Sequence, residues 1–446
     1  MISQSRFSDE GKENQQEYEE YEETHQESDV QKGFNDEQYE TEMNALYQDD
    51  VQYQEDGIKS FGADSDNHIK TLGFLQKFNV TQISLTDCYN VILTNPPTQV
   101  TKLIVNFCNI KSLDGLQDMI HLQILNLSHN KIKDIKLLGT LKSLKDLNIA
   151  DNKLTDISQL KNITTLIQLN IRSNKIDDIS VIQSLNNLEN LDYFYHNKIQ
   201  DITVLLYFTK FKEINMSYNK INNISALKNL PELKCLCLCQ NNIKDISVLQ
   251  YLPNLENLDL SKNYISNISV LKTLITLKIV NLSYNPITNF NFIKYLKNLS
   301  SLNLNSCNIV DITFLKGLSC LKAVQLEENK IINISSLKYL EFNELDLRYN
   351  RLSNFSDIQQ HKNYNRYMID GQIEATPKLV HKSNNMAAIF DITEIIEELQ
   401  NKQQKNYHFA KVQGIINLRL QHTISDHMQF TNKIVNLLNQ IQNIDQ

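Results

Sequence analysis

The sequence has no tryptophan, only 16 glycine and proline residues among 446, and seven cysteines. No apolar run approaches the roughly 18 residues that span a bilayer, so we expect no membrane partner. The opening stretch, MISQSRFSDEGKENQQ, contains no apolar signal core, and seven cysteines cannot all pair. We therefore expect free thiols in a reducing compartment, the cytoplasm or nucleus, and no secretion.

Acidic and basic residues are unevenly distributed along the chain. Residues 1–66 hold 20 Asp and Glu against 4 Lys and Arg, a net charge of −16, while the remainder carries +8. High charge with few branched apolar residues predicts a disordered acidic segment over 1–66. Within it, DEQYETEMNALYQ has apolar residues at helical spacing, which indicates either a partner-binding helix or only a nascent one.

A repeat dominates the rest of the sequence. Each unit follows L-x-x-L-x-L-x-x-N-x-I, then Asp or Asn, then Ile or Phe, and usually Ser or Thr. Nine intervals between the anchor residues are 22 residues long, one is 23 and one is 21; the anchors are Val100, Leu122, Leu144, Leu166, Leu188, Phe211, Leu233, Leu255, Leu277, Leu299, Leu321 and Phe342. We predict twelve units over 100–355, preceded over 67–99 by a flank with a degenerate unit at Val80.

Each fixed letter of the unit has a physical reason. The L-x-L segment predicts a short strand whose leucines enter a core while their neighbours face outward. No unit can bury its own leucines, so the units must stack and pair their strands in one parallel sheet. The recurring asparagine can satisfy backbone groups where the chain leaves the strand, and Cys108 and Cys307 fill its place in two units. The later Asp or Asn predicts a cap on a short helical turn.

This pattern, seen in LQILNLSHNKIKDI, LENLDLSKNYISNI and LSSLNLNSCNIVDI, resembles the leucine-rich repeats of the 22-residue class. That class is typified by the regulatory subunit of type-one protein phosphatase, and bacterial internalins have similar units. The resemblance spans roughly residues 80–355 and implies an α/β solenoid, a curved array with an inner parallel sheet and short outer helical turns. It implies no single function, because such arrays host many unrelated partners.

The chain after the repeats is predicted to be helical. Apolar residues at helical spacing mark 387–405 and 409–444. We interpret 356–446 as a helical C-terminal cap that covers the last repeat, which an open array needs. A coiled-coil or oligomerisation helix is the alternative, although the heptads are irregular.

Three cysteines alternate in LKCLCLCQNNI, where Leu236 and Leu238 are letters of the repeat. Cys235, Cys237 and Cys239 are therefore expected on one strand, facing outward. Side chains two residues apart on a strand lie about 6.6 Å from each other. Sulfur ligands of tetrahedral zinc lie much closer together, so we expect no metal and no cofactor here. No positive neighbour is expected to favour a thiolate, and we predict unreactive structural thiols.

Outward strand positions form the concave face, where a protein partner is expected to bind. Rigid tyrosines are good interface anchors, because they bring a large area and lose little entropy. In LDYFYHNKI, one extra residue predicts either a bulge that directs an aromatic ring toward the concave face or a silent insertion. The candidate contacts are Phe194, Tyr195, Tyr218, Tyr284, Asn215 and Asp259.

A column of lysines follows the repeat asparagine in five consecutive units. We call it the lysine ridge; it comprises Lys131, Lys153, Lys175, Lys198 and Lys220. Stacked like charges repel unless they are offset, and four aspartates three residues on are candidates for that role: Asp134, Asp156, Asp178 and Asp201. The hypothesis is that the ridge receives an acidic segment, either of a partner or of the chain's own N-terminal segment as an autoinhibitory cover.

Several functional classes find no support in the sequence. It contains no Gly-rich phosphate loop, no His-Glu-x-x-His and no nucleophile elbow, so we expect no enzyme. The aromatics do not alternate with arginines, so we expect no nucleic acid partner. The leading interpretation is a non-catalytic protein-interaction scaffold, and the alternative is a regulatory subunit of a protein phosphatase.

Overall fold

The fold is described from a computed structural model, in which residues 51–53, 59–64, 71–89 and 91–372 are described. Short strands alternate with 3-10 turns throughout these ranges, and no α-helix occurs within them. The strands are β1 Val51–Tyr53, β2 Lys59–Ala63, β3 Gln82–Thr86, β4 Lys102–Asn106, β5 Ile124–Asn126, β6 Asp146–Asn148, β7 Gln168–Asn170, β8 Glu213–Asn215, β9 Cys235–Cys237, β10 Asn257–Asp259, β11 Ile279–Asn281, β12 Ser301–Asn303, β13 Ala323–Gln325 and β14 Glu344–Asp346.

From β2 to β7, and again from β8 to β14, each strand pairs in parallel with the next in chain order. Residues pair at the repeat interval, as Leu125 does with Leu147 and Leu147 with Leu169. These leucines are at most 2% exposed and belong to one continuous core. The predicted solenoid of leucine-rich repeats is confirmed, including its rung-by-rung register.

The 3-10 turns form the outer layer, on the other side of the core from the strands. Their buried residues, such as Leu227 and Leu249, belong to the same core as the strand leucines. The turns of the array are Leu116–Asp118, Lys136–Thr140, Ser158–Asn162, Ser180–Ser184, Thr203–Tyr207, Ser225–Asn229, Ser247–Tyr251, Ser269–Thr273, Asn291–Tyr295, Thr313–Leu315 and Ser335–Leu337. Each turn after Leu116–Asp118 begins two residues after the repeat's Asp or Asn, whose side-chain oxygen accepts the turn's first N–H, as Asp156 does from Ser158 at 2.7 Å.

Buried asparagines connect the rungs into a hydrogen-bonded column, which we call the asparagine ladder. Asn152 accepts the N–H of Ile132 at 3.0 Å and donates to the carbonyls of Leu127, Ile149 and Ala150. The same pattern recurs at Asn130, Asn174, Asn219, Asn241, Asn263 and Asn285. One carboxamide therefore satisfies backbone groups in its own rung and in the preceding one, as predicted.

Cysteine replaces asparagine in the ladder at a few rungs. The Cys108 thiol donates to the carbonyl of Asn106 at 3.2 Å, and the Cys307 thiol donates to that of Leu282 at 3.4 Å. Burial raises the pKa of Cys108 to about 12 and that of Cys307 to about 11, which keeps both thiols protonated donors. These two cysteines have the structural role that the sequence predicts.

Two predicted domain boundaries need correction. Strand β2 lies inside the segment 1–66 that was predicted to be disordered, and Phe61 pairs with Ile83 at the 22-residue interval. Residues 356–372 contain a 3-10 turn at Tyr364–Arg366 and a bridge from Met368 to Asp346, so the array ends there in a partial rung without a helix. The predicted helices of 373–446, the helical pattern of 36–48 and the rest of the acidic segment 1–50 lie outside the described residues.

Candidate partner-binding face

The sheet is interrupted at the one unit that is 23 residues long. Strands β1–β7 form one sheet and β8–β14 another. The long unit lies between them, and its Leu191 forms a single bridge to Ile214 of β8. Two residues, Asp192 and Tyr193, stand between the buried Leu191 and Phe194 where other units have one. The extra residue breaks the regular strand pairing, because side chains alternate between core and surface at every position.

Phe194 does not lie on the surface, so its prediction as a partner contact is wrong. Its side chain is 0% exposed, because it precedes the ladder residue Asn197 by three positions, as the buried Leu127 precedes Asn130. The aromatic rings that the extra residue leaves outside are those of Tyr193, which is 46% exposed, and of the half-buried Tyr195. The sequence contained this signal in the constant distance between the core residue and the asparagine.

Aromatic and polar side chains line the edge where the strands end. We call this edge the ledge; it consists of the residues just before the ladder position, all with left-handed backbone, namely Phe107, His129, Asp151, Ser173, His196, Tyr218, Gln240, Lys262, Tyr284, Ser306, Glu328 and Tyr349. Rings stack between adjacent rungs, with centroids 4.1 Å apart for Phe107 and His129 and 4.0 Å for His196 and Tyr218. The sequence predicted Tyr218 and Tyr284 as contacts but missed the two histidines.

Arg172 holds Tyr195, which lies next to the ledge residue His196, in place. Its guanidinium donates to the Tyr195 hydroxyl at 2.8 Å and pairs with Asp151 at 3.1 Å. His129 lies 3.4 Å from the same carboxylate, yet burial lowers the pKa of His129 and of His196, so both imidazoles are neutral near pH 7. Tyr195 is therefore held in one orientation before any partner arrives, which reduces the entropy lost on binding.

The polar residues at the last position of the strands, such as Asn215 and Asp259, form hydrogen bonds that support the strands and also line the sheet face. Asn215 accepts the N–H of Ser217 through its side-chain oxygen at 3.1 Å, and its amide nitrogen has no partner among the described residues. Asp259 accepts from the N–H and hydroxyl of Ser261 and from the Asn281 amide, and only 7% of it is exposed. Asp259 therefore offers a partner almost no surface, and Asn215 remains the candidate contact of this pair.

Cys235 and Cys237 lie on β9 in the register that the repeat predicts, whereas Cys239 follows after that strand has ended, so the three thiols do not share one strand. Strand β9 places Cys235 between Glu213 and Asn257, and Cys237 between Asn215 and Asp259. A hydrogen bond from Cys237 lowers the pKa of Cys235, whereas the same bond and burial raise the pKa of Cys237. Burial also raises the pKa of Cys239. That all three thiols are unreactive stays a prediction.

The lysine ridge lies beside the ledge, and the structure ties its backbone into the array. Each ridge residue donates its N–H to the preceding rung, as Lys198 does to Ile176 at 2.8 Å. All ridge side chains except the half-buried Lys153 are exposed. Asp134 pairs with Lys136 at 3.1 Å and not with the ridge. A depression of about 510 Å³ opens beside Lys198 and Lys220, at the long unit.

A pair of carboxyl groups lies at the interruption of the sheet. Burial, followed by the neighbouring Glu213 carboxyl, raises the pKa of Asp192 to about 6. No cation pairs with either group among the described residues. Asp192 therefore favours its protonated form in the folded chain more than in the unfolded chain, where its pKa is near the ordinary 3.8.

This pair predicts a pH-dependent stability. As pH rises from about 4 to about 6, Asp192 ionises first in the unfolded chain, so its contribution to the free energy of unfolding falls across that window. Asp192→Asn should remove this contribution to the change of the free energy of unfolding with pH. The variant should also be more stable than wild type at pH 7, as measured by urea unfolding at pH 4, 5, 6 and 7. Asp156→Asn is the control of opposite sign, because the Ser158 N–H lowers the pKa of Asp156. An Asp192→Asn slope equal to that of wild type contradicts the account.

Within the part of the chain that the structure describes, no three His, Cys, Asp or Glu side chains converge as metal ligands would. Over the same residues, no helix has the length and apolarity needed to cross a membrane.

Comparison with known proteins supports the fold. The family model for leucine-rich repeats in two copies matches residues 120–162 and 231–273. No curated protein sequence matches the chain significantly. An internalin of Listeria monocytogenes, InlF, is 26% identical over 60% of this chain and 88% of its own, with a TM-score of 0.52. The leucine-rich-repeat protein LIC12759 of Leptospira interrogans has a TM-score of 0.58 at 24% identity, over 68% of this chain and 87% of its own.

A second Listeria protein offers a comparison for the cysteines. The functional domain of InlJ, described as including a cysteine ladder, is 25% identical with a TM-score of 0.54, over 66% of this chain and 64% of its own. In the present chain, Cys88 and Cys108 occupy the ladder position in two adjacent rungs, and Cys307 occupies it in a third. The other units described here carry asparagine there, with Gln372 in the terminal partial rung.

Proposed function

We propose that this leucine-rich-repeat chain is a non-catalytic interaction scaffold that holds a protein partner on the sheet face and ledge. The observation that carries the proposal is the fixed aromatic group around Tyr195, which Arg172 orients, and Tyr218, which stacks on His196. Repeat arrays of this kind commonly bind their partners on extended surfaces. Oriented aromatic side chains are the residues that usually dominate binding energy at such surfaces.

The chemistry of the ledge and ridge favours a partner with an acidic segment. The ridge residues Lys198 and Lys220 border the depression at the long unit together with Asp177 and Asp201. Each of the two lysines follows a ring of the stacked ledge pair, His196 and Tyr218, by two residues. A carboxylate there would meet exposed ammonium groups, while apolar side chains would pack on Tyr195 and Tyr218. Tyr284 extends the same edge toward the C-terminal half of the array. We place the scaffold in the cytoplasm or nucleus, where its thiols stay reduced.

Affinity capture tests the proposal. The full chain and a Tyr195→Ala, Tyr218→Ala variant are used as bait in a lysate, and bound proteins are identified by mass spectrometry. We expect a partner whose recovery falls about tenfold or more in the variant, since each lost anchor costs on the order of 1–2 kcal/mol. Tyr251→Ala, Tyr295→Ala is the matched control, because both tyrosines are exposed and lie on the outer turns, on the other side of the core from the sheet.

Equal recovery with both variants would contradict a partner on this face. The phosphatase alternative rests on the family resemblance alone, and the same experiment addresses it. A phosphatase catalytic subunit in the wild-type fraction, lost from the Tyr195→Ala, Tyr218→Ala fraction, would favour a regulatory subunit.

A further inference from the structure

The outer layer carries a second ordered surface, on the opposite side of the core from the sheet. Four exposed tyrosines recur every 44 residues, one in every second rung: Tyr207, Tyr251, Tyr295 and Tyr339. Exposed lysines fill the preceding position in most rungs of this half: Lys228, Lys272, Lys294, Lys316 and Lys338. We call these nine residues the Lys–Tyr row. Their regular recurrence places them in one column along the outer turns.

The Lys–Tyr row is exposed and positively charged. Tyrosine exposure ranges from 48% at Tyr295 to 85% at Tyr339. Lys294 and Lys338 lie over the rings of the tyrosines that follow them, with the nitrogens 5.3 Å and 5.6 Å from the ring centroids. Such pairs hold the ammonium groups along the row, where they remain accessible to an anion.

The balance of charge distinguishes this row from the lysine ridge. The five ridge lysines have as many aspartates two or three residues on: Asp134, Asp156, Asp177, Asp178 and Asp201. The outer segments 201–212, 223–234, 245–256, 267–278, 289–300, 311–322 and 333–343 together hold eleven lysines and six acids. The two segments 267–278 and 289–300 contain four lysines and no acid. The outer face therefore attracts an acidic chain more strongly than the ridge does.

We infer that the chain's own N-terminal segment, residues 1–50, binds along the Lys–Tyr row. This segment has 16 Asp and Glu against 3 Lys and Arg, a net charge of −13. It joins β1 at the first edge of the array, and β14 is fourteen rung spacings away, with the rung of Leu191 included, about 67 Å. Fifty extended residues reach about 165 Å, so the segment can follow the whole row.

Tethering favours this occupant over a separate acidic protein. A segment linked to its own binding surface acts at an effective concentration near the millimolar range, which a separate partner rarely matches. From the sequence, the N-terminal segment is one of two candidate occupants of the ridge, the other being a partner's acidic segment. The inference places the N-terminal segment on the outer face instead. The sheet face stays open, so the inference is compatible with the proposed function but does not depend on it.

Carbodiimide cross-linking of the full chain tests the inference. This reagent joins a carboxylate to a lysine amine only where the two are in contact. We expect cross-links from the Glu and Asp residues of 1–50 to Lys272, Lys294, Lys316 and Lys338, with at least about a fivefold loss at 1 M salt, where charges are screened within about 3 Å. A mixture of unlabelled and nitrogen-15-labelled chains separates links within one chain from links between two chains.

Two charge-reversal variants locate the contact. Replacing the four row lysines, Lys272→Glu, Lys294→Glu, Lys316→Glu and Lys338→Glu, should abolish protection of residues 1–50 from limited proteolysis. The matched ridge variant, Lys131→Glu, Lys175→Glu, Lys198→Glu and Lys220→Glu, should leave that protection unchanged. Circular dichroism checks that both variants fold. The proteolysis readout remains valid although the lysines used for cross-linking are replaced.

Cross-links on the ridge, links only between chains, or no links from residues 1–50 would each overturn the inference. Neither of these assays involves the partner, so their failure leaves the capture experiment with Tyr195 and Tyr218 unaffected. Conversely, a scaffold without a sheet-face partner could still hold its own N-terminal segment on the Lys–Tyr row. The two proposals therefore fail separately.

Discussion

Asn263→Ala should lower the stability of the array by about 3–5 kcal/mol, one of the two largest effects that we expect. Asn263 is 5% exposed, accepts the N–H of Ile243 at 3.0 Å, and donates to the carbonyls of Leu238, Leu260 and Ser261. Alanine leaves these groups buried without partners, and each unsatisfied group costs about 1–3 kcal/mol. The measurement is the free energy of unfolding in urea, followed by circular dichroism.

Two further variants separate the hydrogen bonds from the lost volume. Asn263→Asp keeps the shape but removes both N–H donors and buries a carboxylate, so it should destabilise the array about as much as alanine does near pH 7. Asn254→Ala is the matched control, because Asn254 is exposed and donates one bond, to Pro231 at 3.0 Å. We expect it to cost less than about 1 kcal/mol. A similar cost at Asn254 and Asn263 would contradict the role of the ladder.

Phe194→Ala should cost about 3–5 kcal/mol, the usual range for removing a buried phenylalanine. Phe194 fills the core position that leucine occupies in most other rungs, and its side chain is fully buried. Phe194→Leu should therefore cost less than about 1.5 kcal/mol. The measurement is again the free energy of unfolding in urea.

Tyr193→Ala is the matched control for Phe194, because Tyr193 is its neighbour and is 46% exposed. We expect a change within about 1 kcal/mol for this variant. A cost at Phe194 no larger than at Tyr193 would show that the long unit folds differently, with Phe194 outside the core. The two variants together thus test whether Phe194 is buried in the core and Tyr193 lies on the surface.

The repeat made most of the fold predictable, because one physical unit recurs with a fixed length. The spacing of Leu125, Leu147 and Leu169 was sufficient to predict their pairing and burial. It also held a signal that the motif did not include: Gln372 follows Asn350 by 22 residues and takes over its ladder role, donating to Leu347 at 2.9 Å. Glutamine carries the same carboxamide group as asparagine and forms the same hydrogen bonds, but a motif that requires asparagine does not find it.

The candidate site was less predictable than the fold. The sequence pointed to the tyrosines of the ledge but could not show that Arg172 orients Tyr195 or that His196 stacks on Tyr218, because those contacts join different rungs. It also treated Asp259 as a surface group, although its carboxylate is buried by hydrogen bonds to Ser261 and Asn281. Side-chain direction within a rung follows from periodicity, whereas contacts between rungs depend on rotamers that periodicity does not determine.

The stacking of one residue per rung in each surface column is the central claim, and engineered disulfides test it most directly. Asn126 pairs with Asn148 in adjacent strands, about 4.8 Å apart, while Asn170 lies one strand further, about 9.6 Å from Asn126. Disulfides need Cα atoms roughly 4.4–6.8 Å apart. Under mild oxidation, peptide mapping should find the 126–148 disulfide in Asn126→Cys, Asn148→Cys and no 126–170 disulfide in Asn126→Cys, Asn170→Cys. A 126–170 disulfide, or the absence of the 126–148 disulfide, would contradict the account.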